Sequence, residues 1–213
     1  MAALETRLLL LGAVSLFAPV NGYQLRRELM SWEVDQWANT APGTIYNGLA
    51  TLAKRGDLIR HDIRDEGRDV AVYEVSEQGH AEFARLFETA MTTVSLTTPI
   101  AFHTAMALLP LVTRSEARRL ILTRLEKLDE LRRRYAEAPA HSAPPHVEAL
   151  ATFWSRLGQV EHEWLTRLVF RIGDGAFDFA GEPASWTPDA DDPGWQMADD
   201  RSRYLALLDR AQR

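Results

Sequence analysis

The sequence predicts a mainly α-helical protein in which three helices and a small β-hairpin are followed by a long α-helical hairpin. Three observations predict it. Apolar residues recur at helical spacing through most of the chain. One stretch, Leu58 to Val75, breaks that spacing and carries β-branched and aromatic residues around a polar turn containing Gly67. Two long amphipathic segments flank a Pro/Ala-rich loop at 138–145. The 213 residues are 46% hydrophobic and 25% charged, the composition of an ordinary globular chain. That length serves one large domain or two small ones.

Leu4–Phe17 reads as an apolar helix that ends before Pro19. Arg7 followed by Leu8–Phe17 has the outline of a signal peptide. Glu5 in the charged part and the lack of an A-x-A site favour a buried first helix instead. Asn21 can N-cap a second helix through Met30, with Leu25 and Leu29 on one face. A link from Ser31 to Thr40 leads to Pro42, which opens a third helix where its missing N–H costs nothing. Ile45, Leu49 and Leu52 give that helix an apolar stripe, and Gly56 stops it. Two strands follow, Leu58–Arg64 and Val70–Val75, with a turn at Asp65–Asp69. Helix, helix, helix, hairpin is the order of a winged helix-turn-helix. A fourth helix from Ser76 to about Val94 completes a unit at 1–96.

A second unit is expected at 97–180. Thr113-Arg114-Ser115-Glu116 has capping-box spacing and starts a long helix. A second long helix runs from His146 to Ile172, with Leu150, Trp154, Leu157, Trp164 and Leu168 on one side. This apolar stripe is longer than the hairpin alone can bury, which implies a partner. The expected fold class is therefore an N-terminal winged helix-turn-helix plus a C-terminal α-helical hairpin dimerisation domain. The dimer would use Ile121, Leu125, Leu128, Leu150, Leu157 and Leu168. Residues 181–213 read as an irregular tail with a short helix at Ala198–Ala211.

Several functions are excluded or disfavoured. The absence of cysteine rules out disulfides, Cys-ligated zinc and a thiol nucleophile. No run of 18 apolar residues is present, so no membrane span is expected and the chain is expected in the cytoplasm. HExxH, GxSxG, P-loop and dinucleotide fingerprints are missing, so no enzyme chemistry, cofactor or metal is expected. With 24 Lys+Arg against 30 Asp+Glu, the net charge of −6 argues against coating nucleic acid by bulk charge. It leaves room for a local DNA-reading surface.

The third helix offers one. Thr44, Asn47, Gly48, Thr51 and Arg55 share the side opposite its apolar stripe. Small polar residues let a helix lie deep in a major groove, where Thr and Asn can bond base edges. A plain solvated face would carry Glu and Lys instead. The motifs then converge. Leu8-Leu9-Leu10-Leu11-Gly12, Gly22-Tyr23-Gln24-Leu25, Pro42-Gly43-Thr44-Ile45-Tyr46, Leu49-Ala50-Thr51-Leu52, Gly56-Asp57-Leu58-Ile59, Gly67-Arg68, Tyr73-Glu74-Val75-Ser76 and Gln78-Gly79 together resemble the PadR family of transcriptional regulators.

The resemblance implies a homodimer that binds double-stranded operator DNA, usually as a repressor, with many members released by a small molecule. It places Thr44, Tyr46 and Asn47 on the recognition helix, with Thr51 and Lys54 further along it. Tyr23 and Gln24 fall near the phosphate backbone and Arg68 at the wing tip. Three positions depart from the family pattern: Asn21 for His, Ala41 for the capping Ser (with Thr40 as a stand-in), and an acidic wing after Arg68. Trp154 and Trp164 either pack the core and dimer or line a cavity for a small aromatic effector. The competing reading is a dimeric ligand-sensing or protein-interaction module whose winged helix no longer binds DNA.

Overall fold

In the computed structural model, residues 3–137, 143–185, 187, 189, 192 and 194–211 are described. Part of the expected 138–145 loop and of the 181–197 tail lies outside them. Helix α1 (Leu4–Phe17) is the element around which the rest assembles; Leu8–Leu11, Ala13 and Val14 have no exposed surface. Strand β1 (Val20–Asn21) leads into α2 (Gly22–Ser31). A one-turn helix α3 (Val34–Trp37) interrupts the expected link, and α4 (Pro42–Arg55) follows. Next come β2 (Leu58–Asp65), β3 (Arg68–Val75) and α5 (Glu77–Thr92). The chain continues through α6 (Ile100–Ala107), a 3-10 turn at Leu109–Leu111, α7 (Arg114–Glu137), α8 (Pro145–Gly173) and α9 (Gly194–Ala211).

Helix starts follow local chemistry. At α2 a reciprocal capping box forms: Gln24 N donates to Asn21 Oδ1 at 2.8 Å, and Asn21 N donates to Gln24 Oε1 at 3.2 Å. At α5, Ser76 Oγ accepts from Gly79 N at 3.0 Å. At α7, Thr113 Oγ1 accepts from Glu116 N at 3.3 Å, while the Glu116 carboxylate turns to Arg119. The start of α4 has no side-chain cap. Thr40 does not stand in for the missing serine, because it is buried and its hydroxyl donates to Ala38 O.

The sheet is antiparallel with order β1-β3-β2, so helices and a three-stranded sheet make a winged helix. The third strand, β1, has only two residues, too few for an alternation pattern in sequence. The wing turn is tighter than expected. Strands extend to Asp65 and Arg68, which face each other, leaving Glu66 (φ 48°) and Gly67 (φ 81°) as a two-residue turn. Positive φ at both residues matches the twist of the flanking strands.

Helices α7 and α8 run antiparallel: Arg114 meets Ile172 and Phe177, while Arg124 meets Glu161. One buried cluster extends from Leu8 through Leu120 and Leu165 to Met197, so the core is continuous across residue 96. A second, smaller cluster joins Ile63 and Val72 of the sheet to Tyr204 and Leu208. Helix α9 starts earlier than expected, at Gly194, and packs against the sheet face turned away from the main core. Among the described residues no helix is long and apolar enough to cross a membrane.

Glu82 on α5 ties three helices together. It accepts from Arg7 of α1 at 2.8 Å and from Arg85 at 2.8 and 2.9 Å, and Arg55 of α4 lies 3.9 Å away. The Arg85 hydrogen bonds hold its carboxyl below the usual range, aided by the charges of Arg85, Arg7 and Arg55 and opposed by burial. A lowered folded value means that this stabilisation is complete above the ordinary Glu range and is lost as pH falls through the folded value. Glu82→Gln should therefore cost roughly 1–2 kcal/mol at pH 7. In urea unfolding the difference from wild type should shrink steadily in acid. A difference that stays constant down to pH 3 would contradict this.

Candidate nucleic-acid interface

The orientation of α4 is set from both ends. Its inner residues Ile45, Leu49 and Leu52 are buried against α1. Gly48 belongs to this inner side, contrary to the expectation that it faces outward. It is buried, and a Cβ there would stand 2.2 Å from Leu10 Cδ1. The residue lets α4 and α1 approach closely, a contact that helical spacing alone assigns to the wrong face.

At the C-terminal end, Gly56 (φ 82°) closes the helix and a buried junction begins. Asp57, 1% exposed, accepts from Gln78 Nε2 at 2.8 Å and pairs with Arg55 Nε at 2.9 Å. Ser76 Oγ donates to Gly56 O at 2.6 Å, Ser76 N donates to Asp57 O at 3.1 Å, and Gln78 Nε2 also reaches Arg55 O at 3.0 Å. A Cβ on Gly79 would lie 1.9 Å from Asp57 O. Thus the Gly56-Asp57, Ser76 and Gln78-Gly79 motifs form one joint among α4, the wing and α5. Arg55 is held in that joint.

The outer side of α4 presents Tyr46 (43% exposed), Asn47, Thr51 and Lys54, with Thr44 half-buried at its start. Thr51 Oγ1 donates to Asn47 O at 2.7 Å, which occupies its proton and leaves its oxygen as an acceptor. Residues 42–55 contain no carboxylate, in a chain of net charge −6. Tyr23, 61% exposed, lies at the start of α2; a Cβ on neighbouring Gly22 would stand 3.0 Å from the Tyr46 ring, so the two helix starts touch. Arg68 is exposed beside the wing turn. Among the described residues neither Lys54 nor Arg68 enters an ion pair, so both cations are free for a phosphate.

Gln24 departs from its expected place at the phosphate backbone. It is 4% exposed and its side chain closes the α2 capping box. The Asn-x-x-Gln spacing was the sequence signal for this role. Asn21 also acts at long range, since its Nδ2 donates to Tyr204 Oη at 2.7 Å.

In the C-terminal half, Ile121, Leu128 and Leu168 are buried within the chain's own core and Leu125 is half-buried. Leu150 and Leu157 are exposed. With Val147, Phe153, Val160 and Trp164 they form a stripe on α8 at spacings of 3, 3, 4, 3 and 4 residues. Trp154 and Trp164 do not share a cavity. Trp154 lines a groove of about 1030 Å³ between α7 and α8, whereas the exposed Trp164 packs edge-on against Phe102 of α6, 6.3 Å between ring centres.

Arg124 is the residue that helical periodicity overlooked, a charge set among Ile121, Leu125 and Leu128 on the apolar side of α7. It has no exposed surface. Nε donates to Glu161 at 2.5 Å, Nη1 to the carbonyls of Met91 and Thr93, and the guanidinium lies 3.8 Å over the Phe102 ring. Burial lowers its pKa from the ordinary arginine value, against the opposing effect of Glu161. Nη2 has no hydrogen-bond partner among the described residues. Arg124, Phe102, Thr93, Thr98 and Glu5 line a cavity of about 270 Å³. No group of three or more His, Asp or Glu among the described residues could hold a metal ion.

No protein-family model and no curated protein sequence matches the chain. Among solved structures it is similar to PadR of Bacillus subtilis, crystallised in complex with operator DNA. The identity is 17%, over 78% of this chain and 98% of that one, with a TM-score of 0.35.

The joint behind α4 is tested by Gly79→Ala. The added methyl meets a backbone oxygen that no rotamer can move, so a loss of about 3 kcal/mol is expected in urea unfolding. Gly43→Ala, where a Cβ meets nothing within 4 Å, should stay within about 0.5 kcal/mol of wild type. Equal unfolding midpoints for the two variants would refute the close approach.

Proposed function

We propose that the protein is a non-enzymatic, sequence-specific DNA-binding transcriptional regulator of the PadR kind, acting in the cytoplasm as a homodimeric repressor. The carboxylate-free outer face of α4 carries this reading. Tyr46, Asn47, Thr51 and Lys54 stand exposed on a helix held at both ends, next to exposed Tyr23 and with Arg68 unpaired on the wing. Asn47 supplies the donor–acceptor pair that matches an adenine edge, and Lys54 and Arg68 supply phosphate contacts. The motif resemblance in residues 8–79 supports the same reading and is the ground for repression.

The second copy is proposed to dock on the α8 stripe from Val147 to Trp164, because its spacing is that of a helix–helix seam and its side chains stand exposed, with only Trp164 also touching α6 among the described residues. Two winged units would then meet an inverted repeat in successive major grooves. The proposed aromatic effector fits the cavity lined by Arg124 and Phe102 better than the separated tryptophans, since one enclosed space joins a cation and an aromatic ring there.

The DNA reading is tested by fluorescence anisotropy on the duplex preceding the protein's own coding sequence, across several salt concentrations. Asn47→Ala should relax preference at one base pair, at a cost of about 1–3 kcal/mol. Lys54→Ala and Arg68→Ala should weaken binding to all sequences alike and reduce the salt slope by about one each. Binding by neither wild type nor variants at any salt concentration would favour the interaction-module reading. The dimer is tested by sedimentation: Leu150→Asp with Leu157→Asp should give a folded monomer where wild type sediments as a dimer. A dimer that survives both substitutions would move the interface elsewhere.

A further inference from the structure

Helix α9 belongs to the segment that carries none of the matching motifs, yet it touches both ends of the candidate interface. Tyr204, 1% exposed, accepts the Asn21 Nδ2–H at 2.7 Å, and the same Asn21 caps α2 directly before Tyr23. One position earlier, Arg203 reaches the wing turn: 3.2 Å to Asp65 and 3.8 Å to Glu66. Tyr204 and Leu208 close over Ile63 and Val72, on the outer face of the sheet. A third tie joins Arg27 of α2 to Gln196 at 2.8 Å and to Asp200 at 3.5 Å.

Two features fix the sense of these contacts. The docked helix leaves Tyr23, Tyr46, Asn47, Lys54 and Arg68 open, so the docked state is the one that can meet DNA. Arg203 also pairs with two of the carboxylates that make the wing acidic, next to the cation the wing offers to phosphate. We infer that α9 is a brace for the DNA-binding surface. Tyr204 and Arg203 are positioning residues that hold the start of α2 and the wing turn as one rigid unit and mask the wing's negative charge. This rests on the DNA-binding reading above.

The test uses full-length Tyr204→Phe and Arg203→Ala, singly and together, with Arg203→Lys as the conservative control. The double variant should bind the duplex roughly tenfold more weakly than wild type, with Arg203→Lys in between. The salt slope of Tyr204→Phe should stay that of wild type, because that substitution changes no charge, and the double variant's thermal midpoint should remain well above the assay temperature. Wild-type affinity in the double variant would overturn the brace. Tighter binding would overturn it too, by showing α9 to be a cover. Hydrogen exchange without DNA separates this inference from the function it rests on. Amides of Asp65–Arg68 and of the first turn of α2 should exchange faster in the double variant, and unchanged protection there overturns the brace even if wild type binds no DNA.

Discussion

The surface that this molecule presents on α4 depends on the approach of α4 to α1. Helix α1 is buried around much of its girth, and Leu10 projects into the space that a side chain at position 48 would occupy. With glycine there, Leu10 keeps this position and the two helices close up. That contact turns Ile45, Leu49 and Leu52 inward and leaves Asn47, Thr51 and Lys54 outside. The Asp57 joint then anchors the far end of α4 to the wing and to α5. The outer face of α4 is the back of a packed core, so a partner need not order it on binding.

Charge is distributed to the same end. The chain as a whole is acidic, but three carboxylates near the interface are engaged: Asp57 with Arg55 and Gln78, Asp65 and Glu66 with Arg203. What remains free on α4 is polar or cationic, while at the wing the exposed Asp69 stands beside Arg68. On the DNA-binding proposal, few free cations and a repelling background favour discrimination by base edges over bulk electrostatics.

Most of the winged unit was legible in the sequence because its signals are local. Pro42, Gly56, Ser76 and the β-branched and aromatic residues of 70–75 each mark an element by chemistry within a few residues. Features made by distant residues were not legible. The side on which Gly48 lies depends on Leu10, the long-range bond of Asn21 on Tyr204, and the burial of Ile121, Leu128 and Leu168 on how α7 seats against α5 and α8. A stripe at helical spacing announces burial without saying whether the same chain or a second copy supplies it. The two-residue β1 and the docking of α9 were invisible for a related reason: one is too short for a period, and the other finds its partner more than a hundred residues away.

The central claim, that the exposed side of α4 reads DNA sequence, is met most directly by selection from a random double-stranded DNA library with the full-length protein. The account predicts enrichment of one inverted repeat whose half-sites lie about one helical turn apart. A library that remains random after repeated rounds at low and moderate salt would contradict it.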